Sequence, residues 1–256
     1  MTTPYGVGGQ QLTYATKMRT AFAGMLAYAS KMKDFIKSIV AGEVIHYGYG
    51  IVQDLANPGQ ARNPRAEGSV LLFSGALITS NVINGNVVVN GVVHSLSPVD
   101  YNTSDAQTLA DIATAIALVS GVASATAGTH DVTVVADAET DVRLTSFVVT
   151  AGSSQATASV TYTSVDKFLG AAVAGPLEVA GAGFQQYIEL GYTERTFGIW
   201  VPISHDVSQG DTVYVDLTTA TLGQFTNQST NSLATGGKFD NDGTSGGLAI
   251  AVFNNP

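Results

Sequence analysis

Apolar residues recur at alternating spacings of four and three near the start of the chain. The positions that follow this spacing are Met18, Phe22, Met25, Ala29, Met32, Ile36 and Ile39. Such spacing places them on one stripe of an α-helix. The basic residues Lys17, Arg19, Lys31, Lys33 and Lys37 lie beside or opposite this stripe. Because Gly24 interrupts the pattern, two shorter helices are also compatible with it. The pattern predicts an N-terminal helical arm over residues 1–42.

After residue 42 the pattern changes to short runs of β-branched and aromatic residues. Residues 44–52 predict one strand, and Asn57-Pro58-Gly59 is typical of a turn. Further strands are predicted near the C-terminus over 168–174, 186–192, 197–201, 212–217 and 248–253. Short strands separated by glycine and polar turns are typical of a β-sandwich or β-barrel. We predict a discontinuous β-domain made of residues 43–68 and 166–256.

Residues 69–165 have a different pattern, and we call them the module. Asn90-Gly91 lies between two valine-rich runs, which predicts a hairpin. Thr103-Ser104-Asp105 can cap a helix that ends near Gly121. Strands are predicted over 132–135, 142–150 and 156–163. Since neither flanking β stretch is long enough to bury a core alone, we interpret the module as an insertion into one β-domain.

The predicted fold is therefore mainly β with an N-terminal helix, α+β overall. It combines a discontinuous β-barrel or sandwich with an inserted hairpin, helix and strand domain. The chain has 256 residues, and its ordinary hydrophobic fraction of 45% is sufficient for a packed core.

Charged residues are scarce and unevenly placed. They make up 12% of the chain, against about a quarter in an average soluble domain. Residues 1–66 hold seven of the eleven basic residues and three of the twenty acidic ones, a net charge of +4. The remaining residues carry −13. Either the basic segment meets an acidic partner, or its charges lie on the solvated face of a helix.

Residues that carry chemistry do not form a recognisable pattern. The chain has no cysteine, and its histidines, His46, His94, His130 and His205, lack the spacing of a metal site or a catalytic pair. Neither a Gly-x-Ser-x-Gly elbow nor a phosphate-binding loop occurs. The sequence therefore predicts no catalytic residue, cofactor or metal, and a protein that is not an enzyme.

Residues 240–243, Asp-Asn-Asp-Gly, are similar to the start of a calcium loop. The sixth and twelfth positions are Ser245 and Ala251, where an EF-hand needs Gly and a bidentate Glu. We interpret this segment as a polar hairpin turn and leave a nonstandard calcium turn open.

Two further classes of partner are disfavoured. No apolar run reaches the roughly 18 residues of a spanning helix, so we expect no membrane span. The acidic body, and a basic segment without interleaved aromatic residues, argue against nucleic-acid binding.

Several glycine-containing segments, taken in their order along the chain, resemble the structural cement proteins of tailed bacteriophages. These segments are residues 21–26 (AFAGML), 48–52 (GYGIV), 168–174 (FLGAAVA), 210–215 (GDTVYV) and 237–243 (GKFDNDG). The resemblance covers residues 10–66 and 166–256. The module, with residues 90–93 (NGVV) and 100–110 (DYNTSDAQTLA), looks like a small domain that recurs in phage virion proteins. In shorter cement proteins the two β-rich stretches are nearly contiguous, so the module is a departure.

The resemblance implies a non-enzymatic, capsid-decorating virion protein. Such a protein binds the exterior of an icosahedral shell, often as a homotrimer, and holds neighbouring major capsid subunits together. The N-terminal segment would be the docking element, and the module would project outward. The predicted docking residues are the apolar Met18, Phe22, Met25, Met32 and Ile36 and the basic Lys31, Lys33 and Lys37.

Two alternatives belong to different classes. One is a tail-associated or receptor-binding virion protein. The other is a secreted carbohydrate-binding or esterase-like β-protein, although Trp200 is the single tryptophan and no sugar-stacking platform is evident.

Overall fold

The structure, a computed structural model, describes residues 21, 23–27, 35–150, 152, 156–173, 183–186 and 189–254. Within these residues the fold is mainly β, with one helix. The strands that precede the module are β1 (Phe35–Ala41), β2 (Ile45–His46), β3 (Gly50–Gln53) and β4 (Gln60–Arg62).

The next group of elements lies between the two β-rich stretches. It comprises β5 (Gly68–Ser74), β6 (Val82–Val89), β7 (Val92–Ser95), β8 (Val99–Asp100), α1 (Asp105–Ala117), β9 (Val122–Ala127), β10 (Asp131–Ala136), β11 (Val142–Thr150) and β12 (Thr157–Thr163).

The chain then returns to the first group of strands. It forms β13 (Phe168–Val173), β14 (Gly183–Phe184), β15 (Glu189–Pro202), β16 (Thr212–Asp216), β17 (Phe225–Thr226), β18 (Ser232–Phe239) and β19 (Leu248–Asn254).

Five strands close into a barrel. Their order is β1-β4-β3-β13-β15, and β15 pairs back with β1. Only the β1–β4 pair is parallel; the other four pairs are antiparallel. Because β13 and β15 follow the module and the other three strands precede it, the barrel is built from both sides of the insertion. A discontinuous domain closes it.

The long strand β15 joins this barrel to an extended sheet. Its first half pairs with β1 and β13, and its second half, from Arg195 to Pro202, pairs with β19. The sheet continues through β18, β16 and β17. We call the barrel and this extension the barrel domain.

The core of the barrel domain fills both faces of its central strands. In β3, Ile51 packs in one buried cluster and Val52 in another. In β13, Ala172 belongs to the first cluster and Ala171 to the second. Successive side chains of a strand point to opposite faces, so these strands are buried on both sides. Their continuous apolar sequence follows from this.

The module has a core of its own. One sheet has the order β12-β5-β10-β9, and the other has β11-β6-β7 with β8 beside β6. The buried residues of α1 are Thr108, Leu109, Ile112, Ala113 and Ile116, and the four apolar ones join this core. Each fully buried member of the cluster lies between residues 71 and 156. The module boundaries drawn at 69 and 165 stay a prediction.

Two local predictions within the module are confirmed. Asn90 and Gly91 have φ values of 48° and 81°, as the two-residue hairpin turn requires. The Ser104 side chain accepts a hydrogen bond from the Gln107 amide and caps α1. The predicted start of this helix is therefore also right.

The predicted N-terminal helix is wrong where the structure describes it. Residues 35–41 form β1, whose backbone pairs with β15 on one side and β4 on the other. Residues 23–27 contain a turn, with Gly24 at φ 80°, and a bridge between Leu26 and Ile199. Pairing with β15 outweighs the helical spacing of the apolar residues. The rest of the predicted arm lies outside the described residues.

Three other segments differ from their prediction. The strand predicted over 44–52 is two strands, β2 and β3, because Gly48 turns the chain with φ 75°. The strands predicted over 186–192 and 197–201 are one strand, β15. Strands β5, β9 and β18 were not predicted. The small and polar residues of β9 and β18 give a weak strand pattern.

Gly50 sets the distance between β3 and β16. A Cβ atom at this position would lie 2.5 Å from Val215 Cγ2, and both backbones are held in the same core. We expect Gly50→Ala to lower the free energy of unfolding by about 1–3 kcal/mol, because the buried valine must move. Urea unfolding followed by circular dichroism measures this change.

Gly59→Ala is the matched control, since nothing lies within 4 Å of its added Cβ. Its effect should stay within about 0.5 kcal/mol. An equal loss of unfolding free energy in both variants would mean that the contact with Val215 is not the cause of the loss at Gly50.

Candidate functional site

The structure places three of the eight predicted docking residues. Met25 lies in the loop before β1, and Ile36 and Lys37 are neighbours in β1. Both residues were predicted to lie on a helix, and the structure places them in a strand instead. Lys37 is exposed. Met18, Phe22, Lys31, Met32 and Lys33 lie outside the described residues.

The loop that contains Met25 is bound to the barrel domain through its backbone. The Gly24 amide donates to the Trp200 carbonyl at 2.7 Å, and the Trp200 amide donates to the Met25 carbonyl at 2.8 Å. The Ala27 amide donates to Gly198. This segment therefore lines the second half of β15 on the side away from β19.

The most highly charged buried place in the described structure is the junction between the barrel domain and the module. Arg62, the last residue of β4, is 1% exposed. Its Nη1 and Nη2 donate to the two carboxylate oxygens of Asp166 at 3.0 and 2.7 Å. The Asp166 side chain is fully buried. A bidentate pair of this kind fixes both position and orientation.

Arg62 also contacts two acidic residues that come later in the sequence. Nη2 donates to Glu67 Oε1 at 3.3 Å. Nε lies 3.2 Å from Glu139 Oε2 but makes no hydrogen bond, so this contact is electrostatic. One buried guanidinium therefore meets carboxylates from both linkers and from the loop between β10 and β11.

The two linkers between the domains are also hydrogen-bonded to each other. The Arg65 amide donates to Asp166 Oδ2 at 3.1 Å, and the Val165 amide donates to Glu67 Oε2 at 3.0 Å. The Glu67 amide donates to the Thr163 carbonyl. The outgoing and returning chains thus run side by side around Arg62.

A second arginine links the module to the barrel domain. Arg143 in β11 is buried, and its Nε donates to Asp141 Oδ2 at 2.8 Å. Its Nη1 donates to the carbonyl of Leu217, which follows β16. The guanidinium lies 5.3 Å from the centre of the Tyr162 ring, and the Tyr162 amide donates to Asn231 Oδ1. These contacts hold the module against the end of the extended sheet.

A polar cavity of about 330 Å³ lies at this junction. Glu43, Asn63 and Arg65 line it from the barrel side, and Asn90 and Asp141 from the module side. Most acceptors here already have donors: Glu43 Oε1 accepts from the Asn63 amide, and Asp141 Oδ1 accepts from the Ala66 amide. The lining therefore serves mainly to bind the two domains together.

The junction has an excess of negative charge. Arg62, Arg65 and Arg143 face the carboxylates of Glu67, Glu139, Asp141 and Asp166. Burial raises the pKa of Glu67, and the nearby Asp166 carboxylate raises it further. The Val165 amide and Arg62 oppose this shift but do not cancel it. The charged form of Glu67 is thus disfavoured in the folded protein.

The histidines do not build a site in the described part of the chain. His46 packs its ring 5.0 Å from that of Tyr49. His205 Nδ1 lies 3.0 Å from Ser204 Oγ and 3.1 Å from Thr226 Oγ1. Among the residues described, no three His, Asp or Glu side chains are arranged to hold a metal ion.

Residues 240–243 form a turn whose acceptors bind backbone amides. Asn241 Oδ1 accepts from the Ile250 amide at 2.6 Å, and Asp242 Oδ1 accepts from the Gln209 amide at 2.8 Å. Gly243 bridges Val207. This is the hydrogen bonding of a polar hairpin turn.

No helix of the described residues is both long enough and apolar enough to cross a membrane. Neither a scan against protein-family models nor a search of the curated proteins returns a match for this chain. Function is therefore inferred from the motifs and the geometry.

Sequence reasoning missed the junction altogether. Arg62 and Arg65 were counted with the basic N-terminal segment, whereas both are neutralised by acids of the linkers and the module. Asp166 is 104 residues away from Arg62 in sequence. The one sequence feature that pointed to the junction was Arg62, which follows a predicted turn and comes shortly before the module.

We expect Arg62→Met to lower the free energy of unfolding by about 3–5 kcal/mol, because it leaves Asp166 buried without a counter-charge. The double variant Arg62→Met with Asp166→Leu should recover part of this loss, since no buried charge then remains. Thermal and urea unfolding measure both values.

Arg65→Met is the control, because Arg65 is 23% exposed and its pair is partly solvated. We expect a loss of about 1 kcal/mol or less. A similar loss for Arg62→Met would show that the buried cluster does not control stability.

The raised pKa of Glu67 predicts an unusual pH dependence. The folded state binds this proton more tightly than the unfolded chain, so its contribution is complete below the ordinary pKa of 4.5 and is lost as pH rises through the folded pKa. We therefore expect the unfolding free energy of the wild type, minus that of Glu67→Gln, to fall as the pH rises above 4.5.

Asp54→Asn should give the opposite trend. Burial opposes the shift, but hydrogen bonds from Asn57 and the Ala56 amide lower the pKa of Asp54 below 3.8. Its stabilisation is present above that pH and lost as pH falls through the folded pKa. Parallel trends for the two variants would contradict the assignment of Glu67.

Proposed function

We propose that this protein is a non-enzymatic virion protein that binds the exterior of a tailed-phage capsid and stabilises contacts between major capsid subunits. In this role it acts as a homotrimer, needs no cofactor, and has the major capsid protein as its partner. The observation that carries the proposal is that the five cement-like segments contact one another in the fold, although they are spread over more than 200 residues.

The first three of these segments meet at Gly48. A Cβ atom at Gly48 would lie 2.6 Å from the Gly24 amide nitrogen, so segments 21–26 and 48–52 touch through their backbones. The Gly48 amide donates to the Ala172 carbonyl, and the Ala172 amide donates to the Tyr49 carbonyl. Glycine is required where two backbones approach this closely.

The remaining segments join through Gly50 and Phe239. Gly50 packs against Val215 of segment 210–215. The Gly210 amide donates to the Phe239 carbonyl, and the Phe239 amide donates to the Asp211 carbonyl. A chance set of Gly-rich turns has no reason to meet in one sheet. The contacts among the five segments support the inference that their order along the chain reflects one fold.

The charge distribution supports attachment through the N-terminal segment. Lys37 is exposed on β1. Lys31 and Lys33 add two charges to the same stretch of sequence. Many copies bind one shell, so a modest affinity for each contact suffices when an oligomer engages several sites at once.

Reconstitution tests the proposal. Purified protein is added to capsid shells that lack it, and binding is measured by co-sedimentation with increasing protein. We expect saturable binding and a higher disruption temperature of the shells. Shells without bound protein, or gold label on tails rather than facets, would overturn the cement role, and the second result would favour the tail-associated alternative.

A charge-reversal pair tests the docking segment. Lys31→Glu with Lys33→Glu should weaken shell binding about tenfold or more, because steering toward acidic capsid patches is lost. Lys167→Glu with Lys238→Glu is the control, since both lysines are exposed on the barrel domain and the net charge changes equally. Unchanged binding by the first pair, with saturable binding by the wild type, would move docking to another surface.

A further inference from the structure

Among the residues that the structure describes, strand β9 is paired on one side and lies at the edge of a module sheet. In the sheet β12-β5-β10-β9, strand β9 is last, and its recorded pairing is with β10. The Gly128 amide donates to Asp131, which closes the β9–β10 hairpin. Hydrogen-bonded pairs alternate along an antiparallel ladder, so Thr126 bonds Thr133 while Ala125 and Ala127 direct their amides and carbonyls away from β10.

This edge lacks the features that usually block strand addition. Strand β9 has the sequence Val-Ala-Ser-Ala-Thr-Ala, six residues without charge or proline. Natural edge strands are commonly shortened, charged or covered, because free backbone groups recruit other strands. Another extended strand can form hydrogen bonds with the outward amides and carbonyls of this edge.

A groove runs beside the same edge. It has a volume of about 420 Å³ and lies between α1 and β9. Along the helix, Ala110, Thr114 and Ala117 follow one another at spacings of four and three, and Leu118 at the helix end is 83% exposed. The helix thus presents an uncharged side of small residues to the groove beside β9.

The distribution of charge favours a second copy of this chain as the partner at β9. The chain has a net charge of −9, so two copies repel each other over most of their surface. The residues that line the groove carry no charge, and neither does β9. A contact here brings two acidic molecules together without burying a carboxylate or placing like charges face to face.

The sequence of β9 is also self-complementary. Residues 123–127 read Ala-Ser-Ala-Thr-Ala, which is nearly the same in both directions. Antiparallel pairing centred on Ala125 sets Ser124 opposite Thr126 of the second copy, and the reverse. A two-fold contact needs this property, because the same patch must fit itself.

The helices are compatible with such a pairing. Because α1 contacts both β9 and β10, it packs over the sheet at these two strands. Two-fold symmetry then brings the small-residue sides of both helices together, where alanine and threonine allow the axes to approach to about 8–10 Å. We propose that two copies of this chain pair through β9, antiparallel and centred on Ala125, to form one continuous sheet across two modules.

Lysines placed on the edge test the proposal by sedimentation equilibrium of the full chain. Ser124→Lys with Thr126→Lys puts like charges opposite each other across the proposed dyad. The control is Thr133→Lys with Val135→Lys, at the exposed positions directly paired with these two on β10. We expect self-association at least tenfold weaker for the edge variant and unchanged for the control.

Circular dichroism verifies that both variants remain folded. The proposed homotrimer is also an assembly of this chain, so pairing through β9 is measured as association beyond the trimer. A wild type that stays monomeric or trimeric at about 100 μM would overturn the proposal, as would equal weakening by the edge and control pairs. This outcome is distinguishable from failure of capsid binding, because it is measured without shells.

Disulfide trapping tests the register. The chain has no cysteine, so Ser124→Cys and Thr126→Cys proteins can be made singly and mixed. Positions 124 and 126 of opposite copies form a non-hydrogen-bonded pair about 4.5 Å apart, which a disulfide can span. We expect the mixture to cross-link more than either protein alone. A Thr133→Cys and Val135→Cys mixture should not cross-link, and equal yields in all samples would overturn the register.

Discussion

The buried charge of Arg62 is the constraint on which the architecture depends. A guanidinium that is removed from water must be neutralised, and the bidentate partner that does so, Asp166, enters the chain only after the whole module has been made. Pairing the two residues brings the outgoing and returning linkers together. Glu67 and Glu139 complete the neutralisation from the linker and the module, so one cation fixes three segments.

The same constraint explains how a barrel tolerates an insertion of this size. Strands β3 and β4 come before the module, and β13 and β15 come after it, yet they are neighbours in one closed ring. An insertion is compatible with a domain when its two ends lie close together. Here the closeness is enforced by hydrogen bonds as well as by strand pairing, and Arg143 adds a second attachment near Leu217. The module is therefore held in one orientation rather than tethered by a loose linker.

The fixed orientation of the module bears on the scarcity of charged residues on the chain. In the proposed role, many copies of this acidic chain lie on one shell and must avoid repulsion where they approach each other. Strand β9 and the adjoining side of α1 provide an uncharged surface, and the junction holds that surface at a set angle to the barrel domain. The docking residues that the structure describes, Met25, Ile36 and Lys37, belong to the barrel domain, whereas the proposed contact between copies lies in the module.

The sequence by itself determined features whose physical cause is local. The Asn90-Gly91 turn follows from the backbone freedom of two residues, and the start of α1 follows from one hydroxyl at Ser104. The mainly β fold was also predictable, because the periodicity of a strand differs from that of a helix. Only the tertiary structure decided that residues 35–41 are a strand, since β4 and β15 supply the hydrogen bonds that overrule a helical spacing. It alone revealed the junction, because the partners of Arg62 are distant in sequence and no spacing rule connects a buried charge to an acid 104 residues away.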